Sequence, residues 1–289
     1  MSRRLVVFGD SHVHAIKEAV DARGNARTAV PIEVKRLLKS KTTSPGPESR
    51  RSLVERLRLA AHNLLRSGRP SFSNREWIGD TSLEEFLPIA RRLRPDDVLV
   101  SVIGGNQYAV FSTIQHPVPF DFCLPEASAP KLDAGVELIP FRGLYDYFLT
   151  ALQLGDGKTL EALRNSTRAK LVHLMAPPPK SDNGYIEQHH DTHFAAAGIS
   201  SMGVSTPELR MKFWKLQNRA IQEICANLEI QTIPPPAEAQ DADGFLSRTF
   251  YAGDATHANV RYGELVLQQL EREFGRGNSP QASFARAAA

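Results

Sequence analysis

Leu5-Val-Val-Phe-Gly-Asp-Ser-His-Val-His-Ala-Ile16 is the stretch that decides how this chain is read. Leu5–Phe8 is a short apolar run closed by Gly9, the pattern of a buried strand. Val13, Ile16 and Val20 then recur at helical spacing. The chain therefore passes from strand to helix across Asp10-Ser11-His12. This places the Ser11 hydroxyl on an exposed turn at a helix start. The first N–H groups of a helix lack intrahelical partners, so Ser11 can offer both a hydroxyl and a free backbone donor.

The same alternation continues outward. Ile32–Lys35 predicts a second strand, and Lys39–Arg51 an exposed loop rich in Ser, Thr, Pro and Gly. Val54, Leu57, Ala61 and Leu64 give an amphipathic helix. Ile78-Gly-Asp-Thr-Ser82 is a turn whose Thr81 or Ser82 can cap a helix carrying Leu83, Phe86, Leu87, Ala90 and Leu93. Val98–Ile103 is nearly all apolar, as a central parallel strand is, and it ends in Gly104-Gly105-Asn106. Leu171–Met175 and Ile230–Ile233 are further strands, Pro207–Leu228 is a long helix, and the last helix starts near Asn259. Tyr108–Thr159 holds five prolines and several aromatics and reads as irregular. A connection that long usually serves a site, so it is expected to form a lid or pocket wall.

Strand alternating with helix argues a parallel sheet covered on both faces, and sites in such sheets gather beyond the carboxyl ends of the strands. Ser11, Gly79, Asn106, Asp254 and His257 each fall just after a strand or at a turn entering a helix. Residues far apart in sequence can therefore meet on one edge.

Bulk properties narrow the function classes. The 289 residues are 42% hydrophobic and 23% charged, with a net charge of +3. This is an ordinary globular balance, without the concentrated basic stripe expected of a nucleic-acid binder. The basic runs Lys35–Lys41 and Arg50–Arg58 read as solvated faces. The two cysteines, Cys123 and Cys225, cannot build a disulfide framework. No stretch reaches the ~20 apolar residues of a membrane helix, and Leu5–Phe8 is shorter than the ~7–15 of an export signal. The expectation is a cytoplasmic protein without nucleic-acid or membrane partners.

Acyl transfer needs a nucleophile beside a base, a group that orients the base, and fixed donors for the oxyanion. Ser11 can be the nucleophile. His257 can take its proton, and Asp254, three residues earlier, can hold the imidazole tautomer. The Ser11 N–H, the Gly79 N–H and the Asn106 amide are the candidate oxyanion donors.

At these residues the sequence resembles the SGNH (GDSL-like) hydrolase family. Gly9-Asp10-Ser11 is similar to its first block, and Asn74…Ile78-Gly79-Asp80-Thr81 to its second. Gly104-Gly105-Asn106 resembles the third, and Asp254-Ala-Thr-His257-Ala-Asn259 with Tyr262-Gly263 the last. The blocks occur in order from Gly9 to Gly263. The resemblance implies a flavodoxin-like three-layer α/β/α sandwich over residues 1–274. The residues themselves add 108–159 as an insertion near the active-site edge, without counterpart in compact members of the family, and 275–289 as a flexible tail. The resemblance also implies hydrolysis of a small-molecule or glycan ester without metal or cofactor. Gln107 stands where many members have Asp, and Ala255 and Ala258 replace the usual Gly and Pro. These departures leave the catalytic set whole and put the substrate in doubt. His12 and Gln107 are assigned to substrate binding.

Other readings stay open. An O-acyltransferase uses the same triad. A non-catalytic binding module can occupy a hydrolase scaffold. A dinuclear metallophosphoesterase fits Asp10-Ser11-His12, Gly79-Asp80 and Gly105-Asn106, but it needs an acid where Leu83 stands and a histidine where Gln107 stands. His189-His190-Asp191-Thr192-His193 could contact substrate or metal. Its spacing matches no closed zinc motif, and it reads as a polar loop near the rim.

Overall fold

The computed structural model describes residues 3–24, 30–40, 77–105, 107–126 and 135–275. Five strands form one parallel sheet: β1 Leu5–Gly9, β2 Ile32–Arg36, β3 Val98–Val102, β4 Lys170–Leu174 and β5 Gln231–Ile233. Their spatial order is β2-β1-β3-β4-β5, with Leu5 opposite both Ile32 and Val98, and Val98 opposite Lys170. The chain leaves β1 toward β2 on one side and returns to β3 on the other. The exits of β1 and β3 therefore flank a switch point, where doubly wound sheets place their sites.

The two faces follow from the pleat. Successive side chains alternate across a strand, and both sets here are apolar. Leu5, Val7, Val98, Val100, Val102, Val172 and Leu174 pack one core with helices α1 (Val13–Arg23) and, at the far end of the chain, Val260–Phe274. Val6, Phe8, Leu99, Ile103 and Leu171 join the opposite core, where the remaining larger helices lie. The result is the expected three-layer sandwich. Ser101 and His173 are polar exceptions in this second core and bond to each other at 3.3 Å. Burial pushes the His173 imidazole down to about 4, so it is neutral.

Helix α2 (Leu83–Arg91) starts at a capping box. Ser82 Oγ accepts from the Glu85 N–H at 3.2 Å, and Glu85 accepts from the Ser82 N–H at 2.8 Å. Helix α3 spans Gln107–Ser112. The stretch beyond it corrects an expectation, because Tyr108–Thr159 is in good part helical. Helix α4 (Phe141–Leu152) runs through a widened π turn, Gln153–Gly157, into α5 (Lys158–Ser166). Leu144, Tyr145, Phe148 and Leu152 recur on one buried face of α4. Gly143, Gly155, Gly157 and the flanking prolines hid this helical period in the sequence. The segment supplies the crossover that two adjacent parallel strands, β3 and β4, require.

Short helices α6 (Asn183–Gln188), α7 (Thr192–Ala196) and α8 (Ile199–Met202) occupy the histidine-rich stretch expected as a loop. Helix α9 (Pro207–Asn227) follows, capped by Thr206 with Pro207 at its first position. Asn259 caps α10 (Val260–Phe274) by accepting from the Arg261 and Tyr262 N–H groups. No helix among the described residues is long and apolar enough to cross a membrane. The expected loop to Arg51 beyond Ser40, the expected helix from Val54 to Leu64, Asn74, Asn106 and the tail from residue 276 lie outside the described residues.

Candidate active site

Four loops meet beyond the carboxyl edge of the sheet, and backbone bonds tie three of them directly. The Asp10 N–H donates to the Val102 carbonyl at 3.0 Å, and the Gly104 N–H donates to Asp10 Oδ2 at 3.1 Å. The exits of β1 and β3 are thereby fixed side by side, with Ser11 between Asp10 and the first turn of α1. Beside them, the Leu37 N–H donates to the Gly9 carbonyl at 2.7 Å, and the Asp80 N–H to the Arg36 carbonyl at 2.9 Å. The Gly79 turn thus lies against the exit of β2.

Gly79 has φ of +143°, and a Cβ there would lie 2.5 Å from the Leu37 carbonyl oxygen. Only glycine fits. Asp80 closes the turn by accepting from Lys17 Nζ at 2.9 Å. This bond is the first cause of its carboxyl being held below the usual range.

The fourth loop carries Asp254 and His257. Asp254 Oδ1 accepts from the backbone N–H groups of Thr256 and His257 at 2.9 and 2.7 Å, and Oδ2 lies 2.8 Å from His257 Nδ1. Burial opposes a charge on Asp254. The ring N–H and positive potential of His257 and the two backbone donors outweigh it and hold the carboxyl well below the ordinary range. An ionised carboxylate can only accept, so Nδ1 carries the proton and Nε2 is the basic nitrogen. That Nε2 is buried and has no hydrogen-bond partner among the described residues.

His257 is brought to the Ser11-His12 turn through His12. The two rings are 5.0 Å apart between centroids and inclined by 53°. His12 is buried and lies so close to Gly105 that a Cβ there would sit 2.6 Å from its Nε2. The Gly104-Gly105 loop and the last loop therefore both contact the Ser11-His12 turn. Asn106, next in the sequence after Gly105, is outside the described residues. Gln107 is half-buried at the start of α3, and the next N–H, of Tyr108, is anchored to Gln217 Oε1 at 2.7 Å.

In the histidine cluster, His189 and His190 bond carbonyls of the preceding helix. His189 Nδ1 lies 2.9 Å from the Tyr185 carbonyl, with the two rings stacked at 3.9 Å. His190 Nδ1 lies 2.8 Å from the Glu187 carbonyl. Asp191 Oδ1 accepts from the Phe194 N–H at 3.1 Å. Among the described residues no three His, Cys, Asp or Glu side chains converge as a metal site would require.

One residue at this edge has no precedent in the sequence reading. Lys180, after the exit of β4, is buried, and its Nζ donates to the carbonyls of Ala252, at 2.9 Å, and Asp254. Burial pulls its pKa down to about 8, against the attraction of Asp254. Its place in Ala176-Pro-Pro-Pro-Lys180, just past a strand exit, was the available signal.

No family model matches the chain, and no curated protein does. Solved structures are similar to it at low identity. The extracellular lipase of Streptomyces rimosus is 10% identical, with a TM-score of 0.41 over 93% of this chain and 99% of that one. The carbohydrate acetylesterase family member of Sinorhizobium meliloti is 10% identical, with a TM-score of 0.40 over 94% and 96%. The periplasmic domain of the Salmonella ser. Paratyphi A lipopolysaccharide acetyltransferase is 9% identical, with a TM-score of 0.43 over 96% and 85%.

Proposed function

We propose that this chain is a serine-dependent ester hydrolase of the SGNH kind, working through an acyl-enzyme on a small-molecule or glycan ester. The observation that carries the reading is the Asp254–His257 pair at 2.8 Å, whose buried basic nitrogen belongs to a ring in contact with the Ser11-His12 turn. In this reading the Ser11 oxygen attacks the ester carbonyl while His257 Nε2 takes the hydroxyl proton. Asp254 stabilises the imidazolium. The N–H groups of Ser11 and Gly79 and the Asn106 amide receive the oxyanion. The proton then passes to the leaving alcohol, and water attacking the acyl-serine by the reverse route restores Ser11.

His12 and Gln107 would line the acyl or alcohol side. The stretch 108–159 would contribute to the pocket wall, which the packing of Asp156 against Gly104 supports. The chain is expected to act in the cytoplasm.

Asp10 bonds the Gly104 N–H with its carboxylate, and Leu83 and Gln107 occupy positions where a dinuclear site needs ligands. Activity should therefore persist in EDTA. A panel of acyl esters of increasing chain length, including acetylated sugars, tests the proposal. At least one should turn over in wild type and not in Ser11→Ala. Equal turnover of every ester by both proteins would refute it.

A further inference from the structure

Buried lysines are rare, and Lys180 is held by more than one kind of contact. Its side chain crosses from the exit of β4 to the last loop. There Nζ donates to the Ala252 and Asp254 carbonyls, lies 3.9 Å from Asp254 Oδ1, and faces the Tyr185 and Tyr251 rings at 5.0 and 4.9 Å. The walls of this cage are themselves fixed. The Tyr185 hydroxyl donates to the Ala252 carbonyl at 2.9 Å, the Ser181 N–H donates to the Tyr251 hydroxyl at 3.1 Å, and Arg210 Nε donates to the Lys180 carbonyl at 3.2 Å. The titratable and charged groups facing the ammonium are Asp254 on the loop, with Tyr185 and Tyr251 at its sides, and His257 lies beyond the Asp254 carboxylate that it bonds. Arg210, Asp182 and Arg248 lie further out, the last two paired at 2.9 Å.

We propose that Lys180 is a positioning residue for the Asp254–His257 pair: it pins the backbone on which Asp254 stands and, as a cation behind the carboxylate, weakens that carboxylate's hold on the His257 proton. The inference rests on the triad reading, since it gives the ammonium a task only if His257 must be a free base. A carboxylate 2.8 Å from an imidazole favours the imidazolium, and an imidazolium cannot accept a proton from serine. A positive charge on the far side of the carboxylate offsets part of that bias while leaving the Nδ1–H bond in place. A tie needed only for two carbonyls would not require a charge, because a neutral amide donates as well.

The test is the titration of the His257 ring by nuclear magnetic resonance, with His257→Gln for assignment. Lys180→Met removes the charge. Lys180→Gln removes it but keeps an N–H donor, and it carries the comparison should the methionine variant not fold. In both, His257 should keep its proton to a higher pH than in wild type, by on the order of one unit, the size typical of removing a nearby charge. Lys180→Arg should remain closer to wild type. In the wild-type protein itself, the His257 resonances should inflect a second time as pH rises through about 8, where Lys180 gives up its proton.

An unmoved imidazole titration in the neutral variants, or a wild-type ring that shows no inflection between about pH 7 and 10, would overturn the proposal. Labelling of Ser11 by a fluorophosphonate reports on the triad separately. If Ser11 labels while His257 ignores Lys180, the triad stands and this inference falls. If His257 responds to Lys180 and Ser11 does not label, the electrostatic coupling stands and the triad reading falls.

Discussion

Two short segments of this molecule have nearly the same composition and opposite construction. His189–His193 and Asp254–His257 both combine carboxylate and imidazole near helix starts. In the first, the Nδ1 atoms of His189 and His190 lie against carbonyls of the helix just ended, and Asp191 caps the next turn. These groups are used locally, to satisfy helix ends. In the second, Asp254 takes two backbone donors on one oxygen and the ring of His257 on the other, while His257 Nε2 is buried without a hydrogen-bond partner among the described residues. What separates a polar turn from a candidate base is the partner of Nδ1 and the environment of Nε2, not the residue types.

The comparison is broken most severely by losing the proposed base or nucleophile. Ser11→Ala or His257→Ala should each lower kcat by about 10³-fold or more, measured on whichever ester the wild type hydrolyses best. Retained turnover in His257→Ala, with loss in His190→Ala or His193→Ala, would transfer the base to the other segment. Asp254→Asn should cost up to about 10⁴-fold through the wrong tautomer, and combining it with His257→Ala should add little, because a triad acts as a unit.

How much of this could be read in advance depends on the range of the interactions. The central strands β1, β3 and β4 were legible because each is a short run buried on both faces, and the two cores take alternate residues of the same runs. The placement of Ser11, Gly79, Asp254 and His257 along one edge of the sheet was legible because each lies at a strand exit or a helix entry, and the sheet order brings such ends to one side. The helices over 141–166 were not, since Gly143, Gly155, Gly157 and the flanking prolines obscure the pattern that marks a helix. The Lys180 cage was not either. Its bonds join positions 72 and 74 residues apart, which no local pattern encodes.

Smaller effects sharpen the contrast. Asn106→Ala should reduce kcat by about 10²–10³-fold with the melting temperature nearly unchanged, as for a lost oxyanion donor. Gly79→Ala cannot serve that purpose, because a Cβ would collide with the Leu37 carbonyl and lower stability as well. Asp254 also leaves a mark on stability. Its carboxyl is held below its unfolded value of about 3.9, so its contribution is present above that pH and is lost as acid takes the solution through the lower folded value. The stability difference between wild type and Asp254→Asn should accordingly be flat above about pH 5 and shrink below about pH 4 in urea titrations. The smallest effect is expected in the other segment. His189→Ala and His190→Ala should change kcat/KM by less than about threefold, since their Nδ1 atoms lie against carbonyls of their own preceding helix and substitutions away from core and site usually stay within ~0.5 kcal/mol.

The most direct measurement is covalent. Wild-type protein treated with a fluorophosphonate and digested should carry one phosphonyl adduct, on the peptide containing Ser11, and Ser11→Ala should carry none. His257→Ala should label far more slowly, because the hydroxyl loses its base. Labelling that is equal in wild type and Ser11→Ala, or an adduct on another serine, would contradict the account.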